Sequence, residues 1–135
     1  MRLTLASRLV PALMTTLLAA GPAVACSCLP ATPARAHAGA SAVVLGRIVS
    51  VAERGPLASR ATVEVRQAWK ATVESTIEVV IGGPCAASLP LGQEQLLFLE
   101  RIEGGYATQA CSGNQVAAGA GGFLTWLGRN ARQTR

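Results

Sequence analysis

Apolar and polar residues alternate most clearly from Ala61 to Lys70, with Ala61, Val63, Val65 and Trp69 on one parity and Thr62, Glu64, Arg66 and Lys70 on the other. A two-residue repeat puts each set on its own face, so the segment predicts a half-buried strand. Upstream, Ala42 to Val51 is mostly apolar and rich in β-branched residues, and it ends in the turn-forming Glu53-Arg54-Gly55-Pro56. That pattern predicts a strand buried on much of both faces, with a bend or bulge at Gly46. Ile77, Val79 and Ile81 repeat the alternation with Glu78 outward, until Gly82, Gly83 and Pro84 stop it before Cys85. Leu96 to Arg101 predicts a fourth strand, Gly104-Gly105 a turn, and Tyr106 to Ala110 a short fifth strand ending at Cys111.

Ala31 to Ser41 is rich in Ala, Pro and Gly without a steady period, which predicts an irregular lead-in. After a glycine-rich link (Gly119, Gly121, Gly122), Phe123, Leu124, Trp126 and Leu127 predict one face of a closing helix, followed by a basic tail. Five short strands and a last helix favour a mainly β fold: a five-stranded Greek-key barrel of the OB type with a C-terminal helix. The pattern by itself leaves a small sandwich open.

Residues 1–25 read differently. Arg2 and Arg8 form a positive start, and Leu9 to Ala20 an apolar centre too short and too proline-interrupted for a membrane span. Gly21 and Pro22 break it, and Ala23 and Ala25 fit a small-x-small cleavage pattern, so a signal peptide is expected to end at Ala25. The mature chain would be a single domain, residues 26–135, secreted or periplasmic, with no membrane span, and a monomer is expected. Without Arg2 and Arg8 the formal charge falls from +5 to about +3. Lipidation of Cys26 would acylate its amine and consume its thiol, but bacterial lipoproteins usually carry Leu where Ala23 stands.

The inventory argues against an enzyme: there is no aspartate, one histidine (His37), and no G-x-S-x-G or H-E-x-x-H signature. Glu100 and Glu103 read as a solvated strand end. Five aromatic residues and a weak positive charge argue against nucleic-acid binding on a barrel face. Four cysteines in an exported chain predict two disulfides, with three pairings formally possible. A Cys26–Cys28 bond would close a strained small ring; the residues leave the other two pairings open. A reversible redox role suits this CxC less well than two stable bridges.

From Cys26 to Pro33 the chain reads CSCLPATP, followed by GRIVSV from Gly46 to Val51, a Trp69-Lys70 pair, C-x-x-S-L-P-L-G from Cys85 to Gly92, and Cys111. In order and rough spacing this resembles the inhibitory domain of the tissue inhibitors of metalloproteinases and their netrin-like relatives, over about residues 26–113, as a short bacterial-type member. The resemblance implies an OB-type barrel and the pairs Cys26–Cys85 and Cys28–Cys111, each closing a loop worth about 4 kcal/mol. It also implies a metalloendopeptidase inhibitor without a cofactor of its own, whose Cys26 α-amine and carbonyl chelate the target's catalytic zinc. Ser27 would enter the pocket beside that zinc, with Cys28, Leu29 and Pro30 following along the cleft and Gly83 and Pro84 flanking. In an extended triplet the two cysteine side chains point back to the barrel and Ser27 points away. Ala38 stands where the animal inhibitors have a third early cysteine, and the likeness does not extend to their second, disulfide-rich domain. The competing expectation is a disulfide-stapled extracytoplasmic module that binds another protein without inhibiting it.

Overall fold

The structure is a computed structural model that describes residues 26–56 and 58–135. The expected signal peptide lies outside the described residues. Five strands close a barrel: β1 (Ala42–Glu53), β2 (Ala58–Trp69), β3 (Thr76–Gly82), β4 (Glu94–Ile102) and β5 (Gly105–Thr108). Their order is β1-β2-β3-β5-β4, with β4 pairing back onto β1. All pairings are antiparallel except β3 with β5, an OB-like arrangement that leaves little free sheet edge. A two-residue strand, β6 (Gln115–Val116), adds to β4 beyond β5. The C-terminal helix spans Gly121–Asn130.

The barrel has two apolar cores, one on each side of its wall. Inside lie Ala42, Val44, Ile48, Ala61, Val63, Val79, Leu97 and Leu99. Outside, Val43, Trp69, Leu96 and Phe98 pack under Leu127 and Ala120. Strand periodicity explains the division, since Val43 and Val44, or Phe98 and Leu97, must face opposite ways. β1 is therefore buried on both faces from Ala42 to Val44, as its apolar run predicts. The reading fails further on, where Val49 and Val51 are exposed.

Trp69 corrects the alternation. Leu45 pairs with Gln67 but Gly46 with Val65, so Arg66 is an extra residue in β2. This bulge inverts the parity: Val65 and Ala68 both face the inner core, and Trp69 turns out to the helices. Gly46 allows it, because a Cβ there would lie 2.6 Å from the Glu64 carbonyl oxygen and from Val63. The expected bulge is present, and its consequence for Trp69 was not anticipated by a strict two-residue repeat.

The expected irregular lead-in is instead partly a helix, α1 (Pro33–Gly39). Thr32 caps it by accepting from the Arg35 backbone N–H at 3.3 Å, and Pro33 at the first position is already set in a helical φ. Its far end is closed by a side chain from the barrel: Lys70 Nζ donates to the carbonyls of His37 at 2.7 Å and Ala38 at 3.3 Å. α2, the Gly121–Asn130 helix, starts earlier than expected and takes Gly121 and Gly122 into its first turn. The basic tail then returns to β2, where the Ala68 N–H donates to the Arg135 carbonyl at 3.2 Å and the Thr134 N–H to the Ala68 carbonyl at 2.8 Å. The fifth strand stops at Thr108; Ala110–Ser112, bearing Cys111, is a 3-10 turn. No helix among the described residues is long and apolar enough to cross a membrane.

Candidate functional site

Where β3 and β5 end side by side, two cysteine-bearing loops meet. Past Gly82 the chain turns through Gly83, at φ +80°, and the exposed Pro84 into Cys85. The Cys85 carbonyl accepts from the Ala110 N–H at 2.9 Å, and Ala86 pairs with Gln109. Cys85 and Cys111 are thus stitched together by main chain before any disulfide is considered.

The turn bearing Cys111 is closed at both ends. The Gln109 N–H donates to the Ser112 hydroxyl at 3.1 Å, and the Ser112 N–H to the Gln109 carbonyl at 3.1 Å. Asn114 ties the turn to the barrel: its side-chain oxygen accepts from the Phe98 N–H at 2.9 Å, and its Nδ2 donates to Thr108 at 2.9 Å. Gly113, at φ +98°, lies so close to α1 that a Cβ would meet the Ala36 methyl at 2.7 Å. A larger residue would push the turn off the helix.

Onto these two anchors the chain from Cys26 is bolted. Cys26 joins Cys85 with Cα atoms 5.7 Å apart, and Cys28 joins Cys111 at 5.2 Å; this is the pairing that the resemblance implies. Cys26 Sγ lies 3.2 Å from the Pro84 carbonyl oxygen, which sets the start of the edge against Gly83-Pro84. Ser27, Cys28, Leu29 and Pro30 are exposed, Leu29 at 79%. A third tie follows, as Arg35 in α1 donates to the Pro30 carbonyl at 3.3 Å. Behind the edge is a groove of about 360 Å³, with Cys28, Leu29, Arg35, Phe98 and Cys111 in its lining.

All seven residues expected at a binding edge, Cys26 to Pro30 with Gly83 and Pro84, are therefore brought together on one exposed strip. Arg35, Gly113 and Asn114 shape it and were not singled out by sequence. Only the Thr32-Pro33 start of α1 was a local sign of Arg35's place; Gly113 and Asn114 act through tertiary contacts that no local pattern announces. His37 is elsewhere, in the last turn of α1 with its ring 5.5 Å from that of Trp126. Its pKa is lowered by burial first and by the Lys70 ammonium second. Among the described residues all four cysteines are in disulfides, and no three His, Cys, Asp or Glu converge as metal ligands.

The strip offers fixed main-chain groups and small or aliphatic side chains rather than titrating ones, which suits docking into another protein's cleft. No protein-family model matches this chain, and no curated protein matches it.

Proposed function

We propose that the chain from Cys26 onward is an exported inhibitor of zinc metalloendopeptidases, similar in mode to the tissue inhibitors of metalloproteinases. The observation that carries this reading is the double anchoring of an exposed edge: Cys26 and Cys28 are both bound to the barrel, while Ser27, Leu29 and Pro30 face solvent. Once the signal peptide is removed, Cys26 has a free α-amine beside its own carbonyl, a bidentate donor pair. A catalytic zinc keeps one position open for water, and such a pair would fill it and displace the water. Ser27 then lies toward the pocket beside the metal, Leu29 and Pro30 along the cleft, and Gly83-Pro84 against its rim. Holding the edge in place before docking limits the entropy lost on binding.

The rest of the reading follows from the same parts. Two disulfides fit an oxidising compartment, extracellular or periplasmic. The chain acts as a monomer by occupying a site, without a catalytic group or cofactor of its own.

The test compares protein beginning at Cys26 with protein carrying one added Ala before it, against a panel of zinc endopeptidases. Inhibition is expected from the first form alone, because the added residue removes the α-amine from the chelating position and puts bulk in the cleft. Binding by the authentic form should strengthen as pH rises toward the amine pKa of about 7.7 to 8.0, where the free base appears. Equal inhibition by both forms would exclude chelation by the terminus. Inhibition by neither would favour the non-inhibitory binding module.

A further inference from the structure

The two disulfides that hold the edge differ in what surrounds them. Cys28 and Cys111 are both exposed, and both line the groove of about 360 Å³ behind the edge. Cys26 and Cys85 are half-buried, with Cys26 Sγ against the Pro84 carbonyl and Cys85 held in the main-chain stitch to Ala110. Thiol exchange requires a thiolate to reach one sulfur along the bond axis, so access governs its rate when the disulfides are otherwise alike. We infer that the Cys28–Cys111 bond is a thiol-operated release for the edge, opened ahead of Cys26–Cys85 by a small thiol or by the dithiol of an oxidoreductase.

The chemistry balances within two exchanges. A thiolate attacks Cys28 or Cys111, forms a mixed disulfide with that cysteine and expels the other as a thiolate, which takes up a proton. A second thiol resolves the mixed disulfide, so two reductant thiols become one disulfide while the protein gains two thiols. The groove gives room for the incoming group, and with Arg35 and Glu100 both in its lining it carries no net charge to repel an approaching thiolate.

The opened form is only partly released. Cys26 stays bound to Cys85 beside Pro84, whereas Cys28 loses its anchor, and Leu29-Pro30 are left held by the Arg35 bond to the Pro30 carbonyl. The order of opening stands on exposure and access. Its consequence, weaker but not abolished inhibition, rests on the function proposed above.

The experiment exposes native mature protein to reduced glutathione, quenches at intervals with acid, alkylates the free thiols and maps them after tryptic digestion. Cys85 and Cys111 fall in different tryptic peptides, so each bond has its own reporter. Cys28 and Cys111 should be labelled about tenfold or more faster than Cys26 and Cys85. Labelling of Cys26 and Cys85 first, or of all four together, overturns the inference. The map needs no protease, so a failure of the inhibitor reading leaves this outcome legible, and the reverse holds too.

Discussion

Two regions of the molecule, the cluster around Trp69 and the edge from Cys26 to Pro30, are held by different physics. In the first, Trp69 is 4% exposed and packs with Phe98 and Leu127, while residues 132–135 add main-chain hydrogen bonds. The edge leaves Ser27, Cys28, Leu29 and Pro30 in solvent and is fixed by two disulfides and a few hydrogen bonds. An edge whose side chains stand in solvent buries too little of them to be held by packing. Covalent bonds supply rigidity without covering area, and both disulfides hold this edge.

That contrast is broken most directly at Phe98, whose ring meets Phe123 edge-on with centroids 5.9 Å apart and also underlies the groove. Phe98→Ala should cost about 3 to 5 kcal/mol by leaving a cavity between barrel and helix, measured as a shift in the urea midpoint. Replacing Cys28 and Cys111 together by Ala should cost about 2 to 5 kcal/mol. This second change should also loosen one region selectively. Hydrogen exchange should rise more in residues 27–32 and 109–113 than at Trp69 and Ala68, whose amides should accelerate by no more than the loss of global stability. Equal acceleration in both regions would show that they open as one cooperative unit.

Much of this contrast is legible in the sequence, and the rest is hidden for identifiable reasons. Alternation at Ala61–Val65 and Ile77–Ile81 marks strands with one face on a core, and the unbroken apolar run Leu96–Leu99 marks one buried on both faces. The same rule misplaces Trp69, since a one-residue bulge has no signature beyond the permissive Gly46. α1 escapes because Ala34, Ala36 and Ala38 give no hydrophobic stripe; the Thr32-Pro33 cap was the available signal. The tail's pairing with Ala68 is made by main chain, which any residue could supply. At the site, CSC and G-G-P-C are visible as local patterns, whereas Asn114 works on groups distant in sequence.

A smaller effect concerns pH at the packed region. Burial and the Lys70 ammonium lower the His37 pKa below 6.5, so the folded state holds the ring neutral where the unfolded chain binds a proton. Stability is therefore complete above about pH 6.5 and is lost as pH falls through the lowered folded value. His37→Gln should flatten the fall in urea midpoint between about pH 7.5 and about pH 5.5. An unchanged slope would mean that His37 does not carry this dependence. The edge, fixed by bonds that do not titrate, should keep its exchange protection over the same range once rates are corrected for the intrinsic pH dependence of amide exchange.

The smallest expected change in stability is at Ser27, where the two regions differ most sharply in what a side chain does. Ser27 is exposed between two anchored cysteines, so it contributes little to packing, and exposed substitutions usually stay within about 0.5 kcal/mol. Ser27→Gly should leave the unfolding midpoint almost unchanged, with both disulfides formed. In the proposed complex, however, that side chain lies toward the pocket beside the zinc, and removing it should weaken inhibition and alter the ranking of target proteases. Thermal unfolding and inhibition measured on one preparation separate the two roles. A fall of many degrees in Tm would place Ser27 in the fold's own packing, and unchanged stability with unchanged inhibition would remove it from the binding edge.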